Sequence, residues 1–398
     1  MSWTDRFLRI RDRWLSNPKF QRWAAAFPLT RPTARRHARA LFDVLAGFVY
    51  SQILYACVHL KLFDLLADGP ETSANIAGRL DLPLDSTQRL LEAAVSLRLV
   101  DRRGGERFGL GVLGAALVGN PAVSSMVEHN RLLYSDLCDP VRLLRREQRS
   151  TRLSSYWTYS ARKDALPKSD APLAGEVPLA NAAAPASEEA RQARTADAQR
   201  GDYTELMSNS QPLVAGEILD AYPLAKHRCL LDVGGGNGTF LIEVAKRAEH
   251  LQLMLFDLPS VAMRAAERFE SLGLGSRAKA IGGDFLNDVL PTGADVISLV
   301  RVVHDHDDAP AAALLTAVHR ALPANGVLLL AEPMMGTPGA EPVGDAYFGF
   351  YLLAMGSGRP RTPLQLQQML RGAGFASAHL VDMRQPLQAQ LIVARKQK

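Results

Sequence analysis

The densest group of chemically capable side chains is His304-Asp305-His306-Asp307-Asp308, directly after an apolar run over 296–303 that reads as a strand. Three chemistries fit such a cluster. A metal site is one, since imidazole and carboxylate are good ligands. Consecutive residues do not converge on one ion, however, and no distant His or Cys partner stands out, so no metal is expected. A helix start is another: Asp307, Asp308 and Pro310 suit the first turn of a helix over 311–322. That reading accounts for the aspartates and leaves His304 idle. In the third, His304 is a general base, because an imidazole with an ordinary pKa of about 6.5 takes up a proton near neutral pH. Asp305, or Glu332 at the end of the next strand, would then orient its ring.

A second constellation is Leu230-Leu-Asp-Val-Gly-Gly-Gly-Asn-Gly-Thr-Phe, placed between a strand and a helix. Gly234, Gly236 and Gly238 let backbone approach a ligand closely. A dinucleotide fingerprint needs a third small residue three positions after Gly-x-Gly. That place is Thr239 or Leu241, depending on the register. Without a phosphate-binding lysine, the turn suits an adenosyl ligand that carries no phosphate. Asp257 follows Gly236 by 21 residues, where an acid accepts from ribose hydroxyls; it also fits a helix cap before Leu258-Pro259. Asp284 and Phe285, after a third strand, suit the amino group and face of adenine; Asp284 also reads as a turn residue. Candidate donor contacts are therefore Asp232, Gly234, Gly236, Asp257, Leu258, Asp284, Phe285 and Arg301.

The elements that position these residues alternate from Lys226 onward. Strands are predicted at 229–233, 251–256, 278–281, 296–303 and 326–331. Helices are predicted at 240–248, 261–272, 311–322 and 364–373. A strand pair, 379–383 and 388–394, closes the chain. This is the pattern of an α/β, doubly wound parallel sheet with an antiparallel C-terminal pair. Before it, a helix over 41–66 ends at Asp68-Gly69-Pro70. Helices at 74–80 and 87–97 follow, then a hairpin around Gly104-Gly105, a winged-helix-like order. The helix after Asp85 carries only Arg89 and Arg98, too little charge for a DNA recognition helix. Four regions result: an arm, 1–40; a helical dimerisation or substrate domain, 41–162; an Ala/Pro-rich linker, 163–201; and a catalytic domain, 202–398.

The chain has 398 residues, 47% hydrophobic and 22% charged, ordinary for a globular protein of two domains. Its net charge is +5, yet residues 1–40 hold ten Lys/Arg against Asp5 and Asp12, a balance of +8 that leaves the rest at −3. No basic stripe runs along the body, so no nucleic-acid partner is expected. Trp3, Phe7, Ile10 and Trp14 share one helical face flanked by Arg6, Arg9 and Arg13. Such a helix lies on an anionic membrane or packs on the body or a partner subunit. The apolar stretch 44–60, interrupted by Ser51, Gln52 and His59, reads as a buried helix and not as a membrane span. The N-terminus lacks the apolar core of a signal peptide. Cys57, Cys138 and Cys229 show no metal or disulfide spacing, which fits a reducing cytoplasm.

Taken in order, Val233-Gly-Gly-Gly, Asp257-Leu-Pro, Gly283-Asp-Phe, His304-Asp305, Ala321-Leu-Pro-Ala-Asn-Gly and Ala331-Glu332 resemble the S-adenosylmethionine-dependent O-methyltransferases of the plant caffeate/hydroxyindole type, over about residues 41–398. Asn17-Pro-Lys-Phe-Gln-Arg-Trp, Phe27-Pro-Leu-Thr-Arg-Pro, Ala46-Gly-Phe-Val-Tyr-Ser-Gln and Ser357-Gly-Arg-Pro-Arg-Thr are similar to the carotenoid 1-hydroxy O-methyltransferases of purple bacteria. The resemblance implies a Rossmann-like class I methyltransferase domain behind a helical dimerisation domain. It also implies S-adenosyl-L-methionine as donor, a hydroxycarotenoid as acceptor and a homodimer. On these positions it makes Gly234 and Asp257 ribose contacts, Asp284 and Phe285 adenine contacts, His304 the base and Glu332 its orienting carboxylate. Two places depart from the plant pattern: Val300 stands where a lysine is frequent, and Pro360 where a second glutamate is. Met334, Tyr347, Phe348, Tyr351 and Met355 are candidates for the acceptor tunnel, although their spacing also reads as helix core. A nicotinamide oxidoreductase and a ligand-responsive winged-helix regulator are the rival classes; the imperfect glycine fingerprint and the weakly charged second helix speak against them.

Overall fold

The computed structural model describes residues 3–148, 150–156, 211–386 and 388–397. The expected linker at 163–201 lies outside the described residues. Two compact units divide the chain, residues 1–120 and residues 121–398.

The first unit begins with α1 (Trp3–Leu15), α2 (Pro18–Ala26) and the long α3 (Arg31–His59). Asn17 starts α2 by accepting from the backbone of Lys19 and Phe20. Then follow α4 (Leu62–Ala67), β1 (Glu71–Thr72), α5 (Ser73–Leu80), α6 (Leu84–Ser96), β2 (Val100–Arg103), β3 (Arg107–Leu110) and α7 (Val112–Ala115). The hairpin β2–β3 takes β1 on its other side, giving the order β1-β3-β2. Cys57, Leu62, Phe63, Ile76, Leu91 and Val100 form the core. Two expectations change here. The helix predicted over 41–66 begins ten residues earlier and breaks at Lys61, whose left-handed backbone (φ 56°) separates α3 from α4. The stretch expected to be buried is not: of α3 only Cys57 is buried, while Leu41, Val44, Leu45 and Phe48 are exposed. Among the described residues α3 is also the one helix long and apolar enough to cross a membrane.

The second unit opens with α8 (Pro121–Asp136), α9 (Pro140–Leu144), α10 (Arg152–Tyr156) and a helix, α11, that ends at residue 221. The helical domain expected to run to 162 therefore differs from the division seen: α8 and α10 pack with the later helix Gly349–Met355 of the same unit. Next come β4 (Cys229–Val233), α12 (Thr239–Arg247), β5 (Gln252–Asp257), α13 (Pro259–Ser271), β6 (Ala278–Gly282), β7 (Val296–Val300), α14 (Asp308–Ala321) and β8 (Val327–Glu332). A π-helical segment (Pro342–Phe348), α15 (Gly349–Met355), α16 (Pro363–Gly372), β9 (Ser377–Val381) and β10 (Gln390–Arg395) complete it.

Seven strands form one sheet in the order β6-β5-β4-β7-β8-β10-β9. β4 to β8 are parallel, and β10 runs antiparallel between β8 and β9. Burial on both faces explains the continuous apolar runs of β7 and β8. The chain leaves β4 toward β6 on one side and returns to β7 on the other. The carboxyl ends of β4 and β7 therefore flank the topological switch point, where open α/β sheets place ligands.

Candidate active site

β4 ends in the glycine turn. Gly234, Gly236 and Gly238 all have left-handed backbone, φ 71°, 60° and 80°. At Gly234 a side chain is barred twice, because a Cβ would also stand 2.8 Å from Cγ2 of Val302. The turn after β4 thus lies directly against the turn after β7, two residues before His304. Gly236 donates its backbone N–H to Asp257 Oδ2 (2.8 Å), and Leu258 donates to Oδ1 (2.7 Å). Burial pushes the Asp257 carboxyl up to about 6 against those two bonds. Each oxygen keeps a lone pair for a ligand hydroxyl. Asp232 accepts from Ser298 Oγ at 2.6 Å through Oδ1, while buried Oδ2 has no hydrogen-bond partner among the described residues. Burial raises Asp232 to about 7.

Asp284 is buried after β6 and binds its own turn, accepting from Leu286 N (3.1 Å) and Asn287 Nδ2 (2.6 Å). The turn reading of Asp284 is therefore occupied. Phe285 is buried edge-on against His306, with ring centroids 5.3 Å apart.

β7 stops at Val300, three residues before the predicted end, because Arg301 turns the chain with φ 56°. A single 3₁₀ turn (Val303–Asp305) follows. Its open N–H groups point at Glu332, the last residue of β8. One glutamate oxygen accepts from Val302 N (3.1 Å) and Val303 N (2.7 Å). The other accepts from His304 N (3.3 Å) and meets His304 Nδ1 at 2.5 Å. On the opposite edge of the ring, Nε2 lies 3.2 Å from Asp305 Oδ1. Burial alone would lower the imidazole pKa, and these two carboxylates outweigh it and raise it above the usual value. Burial pushes Asp305 up to about 6, partly countered by His304. Arg301 donates its backbone N–H to Ala331 O and its Nη2 to Gln211.

The candidates for the acceptor tunnel differ in their surroundings. Phe348 stands edge-on to the His304 ring at 5.8 Å, with Tyr347 and Tyr351 packed behind it. Tyr347 donates to Asn130 Oδ1 (2.8 Å), and the Tyr351 hydroxyl pairs with His129 Nε2 (3.0 Å). Met334 and Met355 are both 1% exposed: Met334 is packed in the core of the sheet, and Met355 in the same buried cluster as Tyr351, with Tyr347 against it. For these two the core reading applies.

Several participants are not assigned to the site by the sequence reading. Buried Arg361 donates to Val303 O (3.0 Å), His306 O (2.8 Å) and Asp308 Oδ1 (2.9 Å). Arg359 N donates to His304 O (2.8 Å). A Cβ on Gly358 would overlap the same carbonyl oxygen. The segment 358–361 thus clamps the His304 turn from more than fifty residues away. His129 and Asn130 enter from α8, far upstream of the motifs. The strongest cue was Ser357-Gly-Arg-Pro-Arg-Thr, a cluster of charge and glycine without a partner in sequence.

The donor side fits an adenosyl sulfonium ligand on its own features: a glycine cradle closed to side chains, an acid bonded to that cradle, and the orphaned Asp232 oxygen beneath it. Comparison with known proteins gives the same direction. Residues 186–376 match the O-methyltransferase domain and residues 42–120 the O-methyltransferase dimerisation domain. Over 386 residues the chain is 37% identical to demethylspheroidene O-methyltransferase of Cereibacter sphaeroides, covering 97% of this chain and 94% of that protein. The chain belongs to the O-methyltransferase family. The methyltransferase is also 37% identical to demethylspheroidene O-methyltransferase of Rhodobacter capsulatus, over 93% of its own length and 85% of that protein. Human N-acetylserotonin methyltransferase in complex with SAM shares its fold, with TM-score 0.68, 24% identity and coverage of 91% and 98% of the two chains. SAH-bound CalO1, a methyltransferase of calicheamicin biosynthesis, does so with TM-score 0.66, 26% identity and the same coverage. The methyl donor of the enzyme is S-adenosylmethionine. The exposed apolar face of α3 falls largely within the dimerisation domain.

Proposed function

We propose that the enzyme methylates the tertiary hydroxyl of a hydroxycarotenoid, with His304 as general base. The observation that carries this reading is the meeting of two turns at the switch point: Gly234 against Val302, and, two residues on, an imidazole whose Nδ1 is held by Glu332. Asp257, the backbone of Gly234 to Gly238, Leu258, Asp284 and Phe285 would hold the donor, and Asp232 and Arg301 would line its inner end. Bound there, S-adenosylmethionine supplies an electrophilic methyl group on a sulfonium. Glu332 accepts a hydrogen bond from Nδ1–H and so leaves the Nε2 lone pair as the basic site. An alkyl hydroxyl is a far weaker acid than a phenol. His304 therefore takes the proton at Nε2 as the C–O bond forms, and the resulting imidazolium lies between Glu332 and Asp305. Phe348, Tyr347 and Tyr351 screen that ring from water and give the acceptor an apolar wall.

The acceptor class is supported by the two bacterial relatives, which are named for demethylspheroidene. Such an acceptor dissolves in lipid, so the enzyme works as a cytoplasmic homodimer at a membrane surface, paired through the α3 face. The test is incubation with methyl-labelled donor and a detergent-dispersed 1-hydroxycarotenoid. Label is expected on the carotenoid oxygen. Methylation of a small phenol with none of the carotenoid would overturn the acceptor class and favour a hydroxyaromatic substrate.

A further inference from the structure

We infer that α1 is an in-plane anchor for anionic lipid headgroups, which brings the enzyme to the phase that holds its acceptor. The inference rests on the proposed acceptor for its purpose only, and its test is independent of it. No residue of α1 is buried. At 3.6 residues per turn, Trp3, Phe7, Ile10 and Trp14 fall within a sector of about 60°. The same winding puts Arg6 and Arg13 on one flank of that sector and Arg11 on the other, and turns Asp5 and Asp12 to the far side. An apolar stripe edged by arginines, with acids opposite, is the arrangement that sinks rings to headgroup depth while guanidinium groups reach lipid phosphate. Trp3 is 87% exposed, Phe7 65% and Ile10 60%, so among the described residues this part of the stripe is uncovered.

Behind it, the rings of Trp14, Phe20, Trp23 and Phe27 form a ladder with successive centroids 5.5, 5.6 and 5.2 Å apart. That ladder ties α1 to α2 through Trp14, the last residue of the stripe, and leaves Trp3, Phe7 and Ile10 outside the packing. The charge distribution selects the occupant. The first forty residues carry +8 and the remainder −3, so an anionic surface attracts the arm and repels the body. The match to the dimerisation domain begins at residue 42, after α1 and α2.

Vesicle flotation of the full-length protein tests this. Binding is expected to vesicles of equal phosphatidylcholine and phosphatidylglycerol, to fall as salt rises, and to be absent with phosphatidylcholine alone. Replacing Arg6, Arg11 and Arg13 by Gln should weaken partitioning about 100-fold, at roughly 1 kcal/mol per basic residue. The Trp3→Ala/Trp14→Ala variant should release the protein while its size in solution and its donor binding stay the same. Flotation that is indifferent to both sets of substitutions would overturn the inference. So would a fall in oligomeric size in the tryptophan variant, which would make the stripe a protein interface, or binding of duplex DNA as tight as binding of the anionic vesicles. Carotenoid methylation in detergent is read separately, so failure of the anchor and failure of the acceptor assignment give different results.

Discussion

The carboxyl edge of the sheet divides at the switch point into two regions built on different physics. On the β4–β6 side the working parts are backbone: left-handed glycines, N–H groups and a carboxylate bonded to them. On the β7–β8 side they are buried charges, an imidazole between two carboxylates and an arginine clamped beneath it. The histidines show what the second arrangement achieves. Burial drives His306 down to about 4 and His129 likewise to about 4, so both stay neutral. His304 is equally buried, yet its affinity for protons rises because Glu332 and Asp305 face it. Burial by itself makes a poor base; burial with paired carboxylates makes a strong one. The donor side should therefore fail in binding and the base side in turnover.

The largest expected effect is from His304→Gln. Turnover should fall about 10²- to 10⁴-fold, with donor affinity by calorimetry changed by no more than about twofold. Loss of donor affinity of the same order would erase the division between the two regions. The mirror experiment is Gly234→Ala. Left-handed backbone and the Val302 contact together cost about 1–3 kcal/mol. Donor affinity should drop about 10-fold or more, with turnover at saturating donor largely kept. A lower turnover at unchanged affinity would contradict the assignment. The smallest of these effects is expected for Arg361→Lys, which keeps the charge but loses the fork that reaches Val303 O and His306 O together. Turnover should decline by about 10-fold or less, with a lower midpoint of thermal unfolding and an altered pH profile. A change in stability alone would make Arg361 structural only.

The same division governs what the sequence discloses. The donor side is local: strand, glycine turn and helix follow one another, and Asp257 comes at the end of the next strand, so its parts can be placed by period and spacing. The strand-end positions of His304 and Glu332 are legible for the same reason. What holds the base is not local. Arg361 and Gly358 reach the His304 turn from a loop beyond α15, and His129 and Asn130 hold Tyr351 and Tyr347 from a helix ahead of the glycine turn. The early stop of β7 was hidden too, since Val302 and Val303 continue its apolar run, and the left-handed backbone of Arg301 with the bonds from their N–H groups to Glu332 takes them out of it. The same limit applies to α3: its apolar pattern reads as burial, whereas in a single chain that face is exposed.

The central claim is that the carboxylates make His304 the base, and the pH dependence of turnover tests it most directly. The base must be neutral to accept a proton, so activity should be lost as pH falls through the His304 pKa. Because that pKa is raised, the acidic limb should lie above 6.5, the unperturbed value, and Glu332→Gln should move it downward. An acidic limb at or below 6.5 in the unaltered enzyme, or one that stays in place when Glu332 loses its charge, would contradict the account.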